Sequence, residues 1–200
     1  MLTTMLGVAG LAAFAAYAPM TAPPEIAAKV DVSVNQEKAI EIETIKLKSW
    51  TCPGCNDNEK YVLEKLQEKT RISDPKALAA IMGNIKQESN FIPNICEGGA
   101  RVPYSDCRVG GYGLIQWTSI NRYANLGKFA ARYGYDPSTL EGQTAYMINE
   151  SVFQRYLPEF EGRGKTIHQY MVPSYYWLGW GIKGNREVFA YQYLNKLVYA

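Results

Sequence analysis

The sequence predicts a mainly α (α+β) domain with a small β/loop element, preceded by an apolar N-terminal arm and short strands. Three observations carry this. From Asn56 onward, helix-start signals precede apolar residues spaced three and four apart. Between Lys29 and Trp50, apolar and polar residues alternate. Before Pro24 the chain has no charged residue at all.

The arm, residues 1–24, contains an almost wholly apolar run, Met5 to Ala18. A bilayer span needs about 20 such residues, so the run is marginal. Ala16-Tyr17-Ala18 has the form of a signal-peptide cleavage site, but no Lys or Arg precedes the run and Pro19 would follow the cut. A signal or signal-anchor, an arm touching a membrane through residues 5–18, and an arm buried against partner proteins all fit. Residues 25–49 read as a strand-rich linker. Val30, Val32 and Val34 alternate with polar residues, Ile40 and Ile42 continue, and Ile45 and Leu47 fall one residue out of phase.

Residues 50–200 are the expected domain. Asn56 and Glu59 have capping-box spacing ahead of Tyr61, Val62, Leu63 and Leu66. Asp74 followed by Pro75 opens a second helix with Leu78, Ile81, Met82 and Ile85 on one face. A third runs from about Asn121 to Tyr133. Ser138 and Glu141 have capping-box spacing for a fourth, through Tyr146, Met147 and Glu150. Gly162 to Lys165 reads as a turn, and Asn185 as the cap of a last helix through Tyr191 and Leu194. The aromatic run Tyr175 to Trp180 reads either as core or as a cleft wall, in which Tyr175 would touch a ligand.

Length and charge narrow the function. A chain of 200 residues holds one domain with arms or two small ones. With 21 Lys+Arg against 19 Asp+Glu and no basic stripe, nucleic acid is not an expected partner. A single histidine, His168, excludes a metal site built mainly from histidines. Four cysteines, Cys52, Cys55, Cys96 and Cys107, are read first as two disulfides or buried thiols and second as a structural zinc site.

Three residues past Ile85 the apolar stripe reaches Glu88. Desolvation and the negative end of the helix dipole would both favour its neutral acid form, which suits a general acid. The bland alternative is a Glu88 turned to solvent or paired with an arginine such as Arg101. Downstream, Gly110-Gly111-Tyr112-Gly113-Leu114-Ile115-Gln116-Trp117 places a lone amide, Gln116, among apolar residues, as a structural bridge or as a sugar-reading group.

The string Met82-Gly83-Asn84-Ile85-Lys86-Gln87-Glu88-Ser89-Asn90-Phe91, followed by Gly111 to Trp117, resembles the phage tail lysozyme family, which is grouped with goose-type lysozymes and soluble lytic transglycosylases. The run Asn94 to Trp117 resembles proteins of cyanobacterial phages in particular. The resemblance implies a lysozyme-like domain acting without cofactor on peptidoglycan glycan strands. Glu88 would be the catalytic acid, Ser89 would hydrogen-bond near the cleavage point, and Tyr112 and Gln116 would line the cleft. A second carboxylate is sought at Glu97 or Asp106, with Glu150 more distant; without one, Glu88 alone would act as in lytic transglycosylases, the alternative to a hydrolase. Other phage structural proteins are the implied partners. The implied location is the virion, at the tail or baseplate, acting on the host wall; an exported endolysin is the alternative. Two rivals stand beside this reading: a cysteine peptidase using a thiol with His168, and a non-catalytic assembly module.

Overall fold

A computed structural model describes residues 48–108 and 110–200. The arm, and nearly all of the strand-rich linker, lie outside the described residues. Among the described residues seven helices follow one another: α1 (Asp57–Lys69), α2 (Pro75–Ser89), α3 (Ile120–Tyr133), α4 (Leu140–Asn149), α5 (Ser151–Glu161), α6 (Ile167–Leu178) and α7 (Arg186–Leu194). Two short strands, β1 (Trp50–Thr51) and β2 (Val198–Tyr199), pair antiparallel and join the first described residues to the last. The protein is mainly helical, as expected. Its small β element between α2 and α3 consists of two isolated bridges, Ile95 with Arg101 and Cys96 with Tyr112.

The helix starts follow local chemistry. The Asn56 side chain accepts from the Glu59 amide, and the Glu59 carboxylate accepts from the Asn56 amide, so two orphan donors are satisfied together. Asp74 caps α2 by accepting from the Lys76 amide, with Pro75 at the first helical position. At α4 the capping residue is Thr139, which accepts from the Gly142 amide, rather than Ser138. The Ser138 hydroxyl accepts instead from the Tyr104 amide. Asn185 stands at the start of α7 without a side-chain cap.

Helix α2 is the axis of the core. Ala77, Leu78, Ala79, Ala80, Ile81, Met82 and Ile85 are all fully buried, so the helix is covered all round rather than along one stripe. Gly83 is where α7 crosses it. A Cβ there would lie 2.5 Å from the Ala190 nitrogen and 2.6 Å from the Arg186 carbonyl oxygen, so only glycine permits this approach. On another side, Phe153 and Phe160 of α5 meet Trp177 of α6 edge-on.

The four cysteines form two disulfides, Cys52–Cys55 and Cys96–Cys107. All four sulfurs are thereby spent. The zinc reading gives way, and the cysteine peptidase loses its nucleophile. His168 is exposed on α6 and contacts Glu187.

Candidate active site

The last turn of α2 presents Gln87, Glu88 and Ser89, and each side chain goes a different way. Ser89 is buried, and its hydroxyl donates to the Leu114 carbonyl over 2.7 Å. That bond ties the helix end to the glycine-bounded segment, so the two motifs separated in sequence meet in space. Gln87 accepts from the Asn185 amide over 2.8 Å, which anchors the α6–α7 connection on the same turn.

The backbone beyond α2 turns sharply. Asn90 ends the helix at φ 53°, and Phe91 follows at φ 61°. Two successive left-handed residues, one of them a bulky ring, carry strain that surrounding contacts must hold. Phe91 is fully buried against the Tyr193 ring, and its carbonyl accepts from the Asn58 amide group.

The glycine-bounded segment rests on Gln143 of α4, a fully buried amide. Its oxygen accepts from the Leu114 amide over 2.8 Å, and its nitrogen donates to the Pro93 and Pro137 carbonyls. Gly113 has φ 74°, and a Cβ there would lie 2.2 Å from the Gln143 oxygen. The glycine is needed both for its backbone conformation and for the space the amide fills.

Glu88 is largely covered, with its side chain 15% exposed. Its Oε1 accepts from Nη2 of Arg186, whose side chain is 7% exposed. The bland alternative set against the acid role, a Glu88 paired with an arginine, is therefore the arrangement found, with Arg186 in place of Arg101, and it works against the neutral acid form that desolvation was expected to favour. Arg186 is itself fixed: Nη1 donates to the Ile182 and Lys183 carbonyls, each over 2.8 Å, and the guanidinium lies 4.7 Å from the Trp180 ring centre. Trp180 meets Tyr175 edge-on at 5.5 Å, and Tyr175 is about half exposed. A continuous series of contacts thus runs from the exposed Tyr175 through Trp180 and Arg186 to Glu88. Of the aromatic run, Trp177 lies in the core and Tyr175 and Tyr176 lie at the surface.

The remaining site residues are placed as follows. Tyr112 is fully buried among Tyr104 and Tyr123, and its hydroxyl donates to the Val102 carbonyl, so it presents no surface to a ligand. Gln116 has φ 50° and is partly exposed; its amide nitrogen donates to the Gly113 carbonyl over 3.0 Å and closes the turn. Glu97 is exposed and accepts from the Gly111 amide over 2.9 Å. Asp106 is exposed on the short 3-10 turn Tyr104–Asp106 and accepts from the Ser105 hydroxyl. Glu150 is buried in a two-pronged ion pair with Arg122, at 2.6 and 2.7 Å.

Sequence reasoning missed Arg186 and Gln143. Arg186 had one usable signal. It opens α7, where the helix dipole disfavours a cation, so its placement asks for another partner.

A helical domain with a covered carboxylate closing its central helix, fastened to a glycine-bounded turn and flanked by exposed rings, has the organisation of a lysozyme-like protein. Residues 57–167 match the family model described as phage tail lysozyme, and the chain belongs to that family. The match says nothing of a cyanobacterial origin. Searches of curated proteins and of solved structures each return no match. The matched span contains Glu88, Ser89, Gln116 and Gln143 but ends before Tyr175, Trp180 and Arg186.

Proposed function

We propose that the protein is a phage muramidase that cuts the β-1,4 bond between N-acetylmuramic acid and N-acetylglucosamine, with Glu88 as general acid. The observation that carries this is the placement of Glu88. It closes the core helix, is largely covered, and sits one residue from the tether to the glycine-bounded turn; the Arg186 pairing engages Oε1 alone, and substrate must supply the low-polarity surroundings that let the other oxygen carry a proton. Oε2 is then the oxygen that meets the glycosidic oxygen and delivers the proton. The exposed face of Tyr175 gives a sugar ring something to pack against. Gln116, partly exposed at the turn, lines the cleft in this reading. In this reading the protein is carried on the virion and opens the host wall locally, which the family match supports.

One observation favours a second reading of the chemistry. Each candidate for a second carboxylate is engaged elsewhere: Glu150 with Arg122, Glu97 with the Gly111 amide, and Asp106 with Ser105. A single glutamate suffices for a lytic transglycosylase. It protonates the glycosidic oxygen as the C1–O bond breaks. The resulting carboxylate takes the proton from the muramyl 6-hydroxyl, whose oxygen closes on C1 to give a 1,6-anhydro sugar. Mass spectrometry of the fragments released from purified peptidoglycan separates the two. Reducing ends identify a hydrolase, and fragments lighter by one water identify a transglycosylase. No fragments from folded protein would leave the assembly module in place of either enzyme.

A further inference from the structure

Between Phe91 and Gly111, Cys96 and Cys107 are the only buried residues among those described, and they are bonded to each other. The first half of this loop, Ile95 to Arg101, has no other buried side chain. Gly98 and Gly99 turn it at positive φ, and a Cβ added at either would meet nothing within 4 Å. No packing therefore holds that half in place except at Cys96.

The glycine-bounded turn nevertheless leans on it. The Gly113 amide donates to the Ile95 carbonyl and the Glu97 amide to the Gly111 carbonyl, each over 2.8 Å. The second half of the loop is better held. The Tyr104 ring stacks on Tyr123 at 4.3 Å, and the Tyr123 hydroxyl donates to the Cys107 carbonyl over 3.1 Å. The Cys96–Cys107 bond thus fastens a loosely anchored strip, itself paired with the turn, to one clamped by rings. Leu114 is held by Ser89 and Gln143 without the loop, and Glu88 by Arg186.

The oxidation state of this pair changes with compartment. A phage protein is synthesised in the host cytosol, where thiols are kept reduced. There the strip from Ile95 to Glu97 has only backbone bonds to keep it against the turn. Joining two residues 11 apart removes much of the strip's freedom to leave. The side of the cleft that carries Gln116 is then ordered only in the oxidised protein, while the helix bearing Glu88 is formed in both.

We propose that the Cys96–Cys107 bond is an activating switch: the protein binds wall glycan weakly while both thiols are reduced, and gains its full affinity when a disulfide oxidant closes the bond outside the cytosol. One cysteine thiolate attacks the oxidant, forming a mixed disulfide and releasing one thiol. The second thiolate displaces the other, so two protein thiols are oxidised and one external disulfide is reduced to two thiols. The proposal rests on the proposed function, in which Gln116 lines the cleft. Its test uses full-length Cys52→Ser/Cys55→Ser protein, in which Cys96–Cys107 is the remaining disulfide, equilibrated in reduced glutathione or in glutathione disulfide. The wild type is taken through the same cycle, so the result stands if the double variant does not fold. Alkylation and mass spectrometry give the thiol state, and kinetics on soluble glycan fragments give kcat and KM. Reduction should raise KM about tenfold with kcat changed by less than about twofold, and reoxidation should restore both. Amide NMR signals of Gly111, Gly113 and Gln116 should move on reduction while those of α2 stay. Unchanged KM in protein shown to be reduced would overturn this inference, as would loss of helical circular dichroism on reduction; either leaves the proposed function standing. No cleavage by the folded, oxidised protein would overturn both.

Discussion

On the proposed function, Arg186 is the residue that would aim Glu88. Two carbonyls hold one arm of its guanidinium, Trp180 covers its face, and the other arm meets the carboxylate. Replacing it with Met should leave Glu88 free to rotate away from the scissile bond. Misplacement of a reacting group by an ångström costs about 100-fold in rate, so Arg186→Met should lower kcat by about that factor with KM little changed. Arg186→Lys, which keeps the charge but loses the fork, should fall between the two. Steady-state kinetics on soluble glycan fragments measures this; unchanged kcat in a folded Arg186→Met would remove the aiming role. Gln143 makes a different prediction. Gln143→Leu strands the Leu114 amide and the Pro93 and Pro137 carbonyls, and should cost about 3 kcal/mol, read from thermal unfolding. Glu88 itself was legible because helical spacing is local: it continues the series Leu78, Ile81, Ile85. Arg186 was not, because it lies 98 residues further along the chain and its pairing exists only once α7 has crossed α2.

The crossing of α2 and α7 at Gly83 is the contact that brings Arg186 to Glu88. Gly83→Ala drives a methyl group into the backbone of α7, where nothing can rotate away. The expected cost is about 2–3 kcal/mol in urea unfolding, as for other overpacked contacts, with a loss of cleavage larger than the loss of stability explains. Most helix starts could be read from the chain, because an Asn or Asp cap and a proline at the first position act within one turn. The misreadings have equally local causes. Ser138 and Thr139 both stand within reach of α4, and the choice fell to Thr139 because the Tyr104 amide claims Ser138 from a distant loop. Helix α5 escaped detection altogether. Pro158 lies inside it, as Pro173 lies inside α6, and an internal proline removes a helical hydrogen bond and reads as a break. Packing of Phe153 and Phe160 against Trp177 keeps the helix going through it.

At the scale of the whole molecule, distant pairings close the fold. β1 and β2 join its two ends, Arg71 reaches Glu161, and the Tyr193 hydroxyl of α7 donates to Glu59 at the start of α1. Burial alone would raise the Glu59 carboxyl, but the Tyr193 hydroxyl, the Asn56 amide and Lys86 together hold it below its ordinary value of 4.5. Burial opposes and Arg71 prevails at Glu161, while Lys183 and His168 lower Glu187. A carboxyl lowered in the folded state stabilises the fold while it is ionised. That contribution is present above pH 4.5 and disappears as pH falls through the lowered folded values. Unfolding temperature should therefore hold near neutrality and decline once the pH drops below about 4.5, with Glu59→Gln showing a shallower decline. The fold class and the order of the two motifs could be read from the sequence; the contacts that run from Glu88 through Arg186 and Trp180 to Tyr175 could not, because those residues come from α6, α7 and the turn between them.

The most direct measurement is digestion of purified peptidoglycan by wild-type protein and by Glu88→Gln, both shown to be folded by circular dichroism, with soluble fragments quantified against time. The account predicts release by the wild type and none by the variant. Equal release by the two proteins would contradict it.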